Sequence, residues 1–342
     1  MLPWLHSDHF PLYLAPMAGV TDVTFRALCK EMGADVMVTE FVSAEGILQR
    51  DDRTRHYTEF DDVQRPLGVQ LFGADGVRMG EAARKIIDWK QPDFIDINFG
   101  CPVNKVVSKN GGSSLLKNCP LLAEVAREVA KAVPIPVTAK MRIGWDAQTI
   151  NAVEVARILE DNGIQAITVH GRTRAQGYTG VADWDVIGQV ADAVKIPVIG
   201  NGDVASGMDV EVRRAQTNVK GIMIGRAAMA NPWVFQEAKH YLSTGGHAVP
   251  ASVQQRFALM RRHCEMAVAR STRGGEFEIV RSMRSRLMSY TRCIPGGKFL
   301  RGRFGQIASM MELDDILAEY LTHSDRFHQR PDVDDDITVE SN

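Results

Sequence analysis

Between residue 12 and about residue 241, short apolar runs alternate with longer amphipathic stretches through eight cycles. The apolar runs are Leu12 to Ala15, Val36 to Thr39, Leu67 to Phe72, Phe94 to Ile97, Val137 to Met141, Ala166 to Val169, Val198 to Gly200 and Gly221 to Ile224. Runs this short and continuously apolar read as strands buried on both faces. The stretches between them carry helical periodicity, as in Leu121 to Ala132 and in Ala152 to Asn162, which Gly163 stops. Consecutive parallel strands need a crossover, and a helix supplies it. Eight such units in about 230 residues predict the α/β class with a closed (β/α)8 TIM barrel, in preference to an open doubly wound sheet.

The pattern changes at Thr244-Gly-Gly-His-Ala-Val-Pro250, a turn-rich linker. Val253 to Ala269, Glu278 to Thr291, Lys298 to Met311 and Leu313 to Leu321 then read as helices of a small bundle. The predicted organisation is a barrel over 1–243, a linker over 244–250, a helical domain over 251–328 and an acidic tail over 329–342. The tail has too few apolar residues to fold.

Where the predicted strands end, polar or special residues follow: Pro16-Met17, Glu40, Gln70, Asn98 with Cys101, Lys140 with Arg142, His170 with Arg172, Asn201-Gly202-Asp203, and Gly225-Arg226. Barrels of this type place their chemistry at the carboxyl ends of the strands, so these residues predict one site built from all the ends. Turn chemistry alone accounts for Asn201-Gly202-Asp203. It does not account for Gln70, Lys140 or His170. The last two ends offer approachable backbone and one fixed cation, Arg226, as a phosphate site would. Neither a G-x-G-x-x-G after a strand nor a P-loop is present.

Charge sharpens the picture in the helical segment. Net charge is −2, yet Arg256 to Arg303 carries 12 basic and three acidic residues, a local +9 against −11 elsewhere. Eleven of the twelve are arginines, whose planar guanidinium suits phosphate and base recognition, so a polyanion partner is expected here. The five cysteines form no C-x-x-C pair and the histidines no H-E-x-x-H, which points away from a metal site and a disulfide framework. No run approaches about 18 apolar residues, and the first residues lack a secretory pattern, so a cytoplasmic protein without a membrane span is expected.

Six ordered blocks carry a resemblance: Ala15-Pro-Met-Ala-Gly-Val-Thr-Asp22, Asp96-Ile-Asn-Phe-Gly-Cys-Pro102, Ala139-Lys-Met-Arg142, Val169-His-Gly-Arg-Thr-Arg174, Asn201-Gly-Asp203 and Ile224-Gly-Arg226. Together they resemble the flavin-dependent tRNA-dihydrouridine synthases. Ala175-Gln-Gly-Tyr178 and Ala182-Asp-Trp184 add a likeness to the bacterial B subgroup. The likeness runs from residue 12 to about 322 and departs at position 104, where Asn104 stands in place of a common proline.

The resemblance implies FMN as cofactor and NADPH as electron donor, tRNA as partner, and a monomer. Pro16, Met17 and Ala18 would line the flavin, Gln70 and Lys140 bond its polar edge, and His170 lie beside it. Asn201, Gly202, Asp203, Gly225 and Arg226 would hold the ribityl phosphate. Asn98 would bind the uracil, and Cys101 would give a proton to its carbon 5. Arg142, Arg172 and Arg174 at the barrel mouth, and Arg284 and Arg286 in the helical domain, are expected on the RNA, with Lys105 and Lys109 extending the basic track. Two other readings remain: a flavin barrel acting on a free pyrimidine, like a dihydroorotate dehydrogenase, and an RNA-binding protein without catalysis.

Overall fold

The computed structural model describes residues 2–5, 9–49, 54–107, 111–272 and 274–323. Lys109, Arg273 and the acidic tail lie outside the described residues, as do the side chains of Asn104, Lys105 and Cys293.

The sheet contains β1 (Leu12–Leu14), β2 (Met37–Val38), β3 (Val42–Ser43), β4 (Leu67–Phe72), β5 (Phe94–Phe99), β6 (Val137–Arg142), β7 (Ala166–His170), β8 (Val198–Asn201) and β9 (Gly221–Ile224). Its order is β1-β9-β8-β7-β6-β5-β4-β2, every pairing parallel. A parallel bridge between Tyr13 and Val36, with Leu14 N donating to Val36 O at 3.0 Å, closes the ring. All eight predicted strands are present in a closed barrel. The added β3 pairs with β4 and is too short for hydropathy to reveal.

Among the described residues, the helices of the barrel part are α1 (Val23–Glu31), α2 (Ala44–Gln49), α3 (Gly76–Lys90), α4 (Asn104–Val107), α5 (Cys119–Ala132), α6 (Ala152–Asp161), α7 (Trp184–Ala193), α8 (Gly207–Gln216), α9 (Arg226–Ala230) and α10 (Val234–Thr244). Polar caps fix where several begin: Asp22 accepts from Phe25 N, Asn118 from Leu121 N, Asp183 from Val186 N and Ser206 from Asp209 N.

Alternate residues of each strand point inward. Tyr13, Val36, Val38, Phe94, Ile199 and Met223 fill the lower barrel. Trp4 plugs its floor, with its ring 4.9 Å from Phe94 and its Nε1 donating to Tyr13 Oη at 3.0 Å. The space left there is about 10 Å³, room for roughly one water. With the floor packed, chemistry is confined to the opposite, carboxyl end.

α11 (Val253–Arg270), α12 (Glu276–Tyr290), α13 (Gly297–Phe304) and α14 (Met310–Thr322) form the helical part. The expected helix from Lys298 to Met311 is broken after Phe304. Ser309 takes Glu312 N at 3.1 Å while the Glu312 carboxylate takes Ala308 N at 2.6 Å, so a new helix starts there.

The seam with the barrel is polar. Arg262 makes two bonds to Glu31 at 2.6 and 2.7 Å, and Arg270 pairs with Asp61. His263, fully buried, bridges Thr24 Oγ1 at 3.2 Å and Tyr290 Oη at 2.9 Å. Burial holds its pKa near 4, against the pull of Asp22, so the imidazole is neutral in this seam. Among the described residues, no helix is long and apolar enough to cross a membrane.

Candidate active site at the carboxyl ends of the strands

β5 ends at Phe99, and the chain turns at Gly100 and Cys101 because their backbone groups are taken up one by one. Asn98 Oδ1 accepts from Gly100 N at 3.0 Å and from Cys101 N at 2.8 Å. Arg142 Nε donates to Gly100 O at 3.0 Å, and Ser113 Oγ donates to Cys101 O at 2.8 Å. The thiol is therefore held by backbone geometry, with 6% of the residue exposed. Burial pushes its pKa above the usual thiol value, opposed by the Val103 N–H and by Arg142 and Lys140, so it is protonated at neutral pH.

Beneath that loop, the pairing of Gln70 with Asp96 and of Asn98 with Lys140 on neighbouring strands stacks their side chains inside the barrel. Asn98 Nδ2 donates to Gln70 Oε1 at 2.7 Å, and Gln70 Nε2 donates to Asp96 Oδ2 at 2.6 Å. Thr138 Oγ1 donates to the other Asp96 oxygen at 2.5 Å. Burial raises the Asp96 pKa, while the hydrogen bonds from Gln70 and Thr138 and the charge of Lys140 work against it.

Lys140 stands beside Asn98, half-buried, without a hydrogen-bond or ion-pair partner among the described residues. Its pKa falls to about 8, first because it is buried and then because Arg142 is near. His170 is buried and its pKa lies well below the usual 6.5, through burial and then the charges of Lys140, Arg142, Arg172 and Arg226. It is a neutral ring at physiological pH.

The far wall is built around Asp203. Its carboxylate accepts from Arg226 Nη2 and Arg172 Nη2, both at 2.9 Å, and from Ala182 N at 2.7 Å. Asp203 thus brackets two arginines at the ends of β7 and β9. Asn201 Nδ2 donates to Met223 O at 2.7 Å. Gly202 has φ +127, and a Cβ there would stand 2.6 Å from Ala182 Cβ and 3.1 Å from His170 Cδ2, so only glycine fits. Gly225 leads into α9 and faces Ala15 and Met17. Pro16, Met17 and Ala18 form a turn at the end of β1, closed by Met17 N to Thr21 Oγ1 at 2.9 Å. Glu40 fixes its tip by accepting from Gly19 N at 2.8 Å.

The expected RNA-facing arginines divide. Arg142 is buried, holding Gly100 O, Thr173 O and Gly177 O, and Arg172 is buried on Thr179 O, Gly180 O and Asp203. Both brace loops. Arg174 is half-buried with its guanidinium 4.7 Å from the Trp145 ring. Arg284 donates to Ile307 O and Gln306 O, both at 2.8 Å, inside the helical domain.

Arg286, 8% exposed, donates to Gly19 O at 2.6 Å and Asp22 at 3.1 Å and lies over the Phe25 ring. Its burial sets it apart from the RNA contact expected of it: the barrel's carbonyl and carboxylate both take Nη2, while Nη1 is buried without a hydrogen-bond partner among the described residues. In the same segment Arg292 and Lys298 are exposed and carry no ion pair among the described residues. Both sit just beyond α12, which packs beside α9 at the barrel mouth.

Sequence reading missed Tyr178. Its exposed ring lies 4.9 Å from the Arg226 guanidinium, 5.7 Å from that of Arg142 and 6.3 Å from the His170 ring. The Gln-Gly-Tyr stretch pointed to a subgroup, but a tyrosine on a loop carries no periodic signal that aims it at the mouth.

Comparison with known proteins agrees with this arrangement. The family described as "Dihydrouridine synthase (Dus)" matches residues 13–325. The tRNA-dihydrouridine synthase B of Pseudomonas putida is 42% identical over 296 residues, covering 86% of this chain and 87% of its own. A probable tRNA-dihydrouridine synthase of Rickettsia bellii is 37% identical, covering 91% of this chain and 94% of its own. Histamine dehydrogenase from a Rhizobium species shares the fold, with a TM-score of 0.50 at 15% identity over 67% of this chain and 45% of its own. The chain belongs to the dihydrouridine synthase family, in its B subgroup.

Proposed function

We propose that this chain reduces the 5,6 double bond of uridines in tRNA, using FMN and taking its electrons from NADPH. The observation that carries the reading is the placing, at the ends of neighbouring strands, of a buried thiol, Cys101, just beyond Asn98, and a partnerless ammonium, Lys140, which is in register with Asn98. The free-pyrimidine reading is not favoured by the comparisons, which return tRNA enzymes along nearly the whole chain.

The mouth suits a flavin. An unpaired ammonium fits its electron-rich edge, and Arg226, braced by Asp203, offers charge for a phosphate. Pro16, Met17 and Ala18 would line it, with Gln70 and His170 adjoining and Asn201 and Gly225 beside the ribityl phosphate. Bound there, FMN supplies the hydride for carbon 6 of uracil. Cys101 then gives its proton to carbon 5, and Asn98 presents an N–H to the base. Arg142 holds the loop on which Cys101 rides.

A uridine inside folded tRNA must leave its stack to reach this mouth. Tyr178 offers a ring on which the extruded base stacks, and the exposed Arg292 and Lys298, with the half-buried Arg174, would offer phosphate contacts. A cytoplasmic monomer is the setting this reading expects.

The direct test is mass spectrometry of tRNA from a strain lacking its own synthases, with and without this gene. Restored dihydrouridine at defined positions is expected, and no change with the protein expressed would refute the proposal. Lys140 gives a second test. Its ammonium is charged below about pH 8 and loses charge above it, so FMN affinity of the apoprotein should weaken roughly tenfold per pH unit beyond that point. Cys101 does not confuse this window, since its pKa is raised. Fluorescence titration of FMN should show the dependence in the wild type and a flat profile in Lys140→Met.

A further inference from the structure

We propose that Asp96, a residue with no part in the reaction as described above, is the positioning residue that sets the direction of every amide leading to Cys101. The inference rests on the reading of Cys101 as proton donor. Asp96 lies a strand step below the mouth, 3% exposed, with Gln70 fully buried beside it and Asn98 at 7%. A carboxylate only accepts, whereas a primary amide donates at one end and accepts at the other.

Asp96 therefore holds the Gln70 NH₂ toward itself at 2.6 Å. The Gln70 carbonyl must then face Asn98, which gives it an N–H at 2.7 Å. That in turn leaves the Asn98 carbonyl toward Gly100 N and Cys101 N, at 3.0 and 2.8 Å. The same order keeps a second Asn98 N–H free for a substrate carbonyl. With Asn98 reversed, its NH₂ would face two backbone donors and three buried groups would lose partners, each a sizeable cost in a dry interior. Thr138, by contrast, donates to the other Asp96 oxygen and lies off this path.

Asp96→Asn keeps the shape and removes the sign, since an amide can present either end to Gln70. The experiment measures oxidation of pre-reduced enzyme by tRNA in stopped flow, with FMN content and thermal unfolding as checks on folding. Asp96→Asn is expected to slow that step roughly tenfold or more, and Thr138→Val to change it less than about threefold. In a Cys101→Ala background the Asp96→Asn loss should shrink, because part of its effect passes through the Cys101 loop. If Asp96→Asn does not fold, Asp96→Ser, which also lacks the carboxylate, takes its place. The proposal is overturned if Asp96→Asn stays within about twofold of wild type, if Thr138→Val costs as much, or if the loss is the same with and without Cys101. Cys101→Ala measured alone reads the underlying assignment separately: undiminished oxidation by tRNA in that variant removes the proton-donor reading itself.

Discussion

Cys101→Ala is expected to leave FMN bound and reducible by NADPH while oxidation of the reduced enzyme by tRNA falls roughly 10²- to 10⁴-fold, the range for loss of a positioned general acid. The expectation follows from how the thiol is kept. Its loop is pinned by Asn98, Arg142 and Ser113, and burial raises its pKa, so the proton is present and the loop is set before any substrate arrives. The sign of the pH dependence follows as well. A donor whose pKa is raised stays protonated through neutral pH, so the tRNA step should be flat through neutral pH until Lys140 begins to lose charge near pH 8, and the thiol should add its own decline only as pH rises through its raised pKa. Cys101→Ser should recover little, since a hydroxyl is a much weaker acid. Undiminished oxidation by tRNA in Cys101→Ala would return the residue to the role of a small buried side chain.

The barrel was legible because parallel strands buried on both faces leave unbroken apolar runs, and all eight expected runs became strands. Their ends were legible for the same reason: in this fold the residue after a strand is placed at the mouth whatever lies between strands. β3, two residues long, leaves no run to read. The start of α14 is written in Ser309 and Glu312, a capping signal masked by an apolar pattern that runs on through Met310 and Met311.

What sequence could not give is which polar groups meet across strands. Asp96, Gln70 and Asn98 form one path only because β4 and β5 are paired in a particular register. Likewise, the +9 of the helical segment reads as a surface for RNA. Much of it is instead matched by acids distant in sequence: Glu31 for Arg262, Asp61 for Arg270, Asp22 for Arg286 and Glu319 for Arg303. A local excess of charge says that counter-charges are needed and not where they lie.

That distinction yields an expected result opposite to the one the sequence suggested for Arg286. Arg286→Ala should weaken FMN binding and lower stability by roughly 2–3 kcal/mol, the scale of losing hydrogen bonds from a mostly buried guanidinium. The turn of Pro16, Met17 and Ala18 that would line the flavin is gripped at Gly19 from two sides, by Glu40 on its N–H and by Arg286 on its carbonyl. Removing the guanidinium frees the Gly19 carbonyl and leaves Asp22, which also caps α1, without its cation. A helical-domain substitution would then be read at the flavin. Arg292→Ala and Lys298→Ala should behave the other way, with FMN binding and thermal stability unchanged and tRNA binding weaker. For each phosphate no longer neutralised, the slope of log affinity against log salt should fall by about one. FMN titration and tRNA binding across a salt series, run on the three variants together, separate the two roles. If Arg286→Ala loses tRNA affinity and salt slope while keeping FMN affinity and melting temperature, the seam is not what holds the flavin loop, and the helical domain acts on RNA alone.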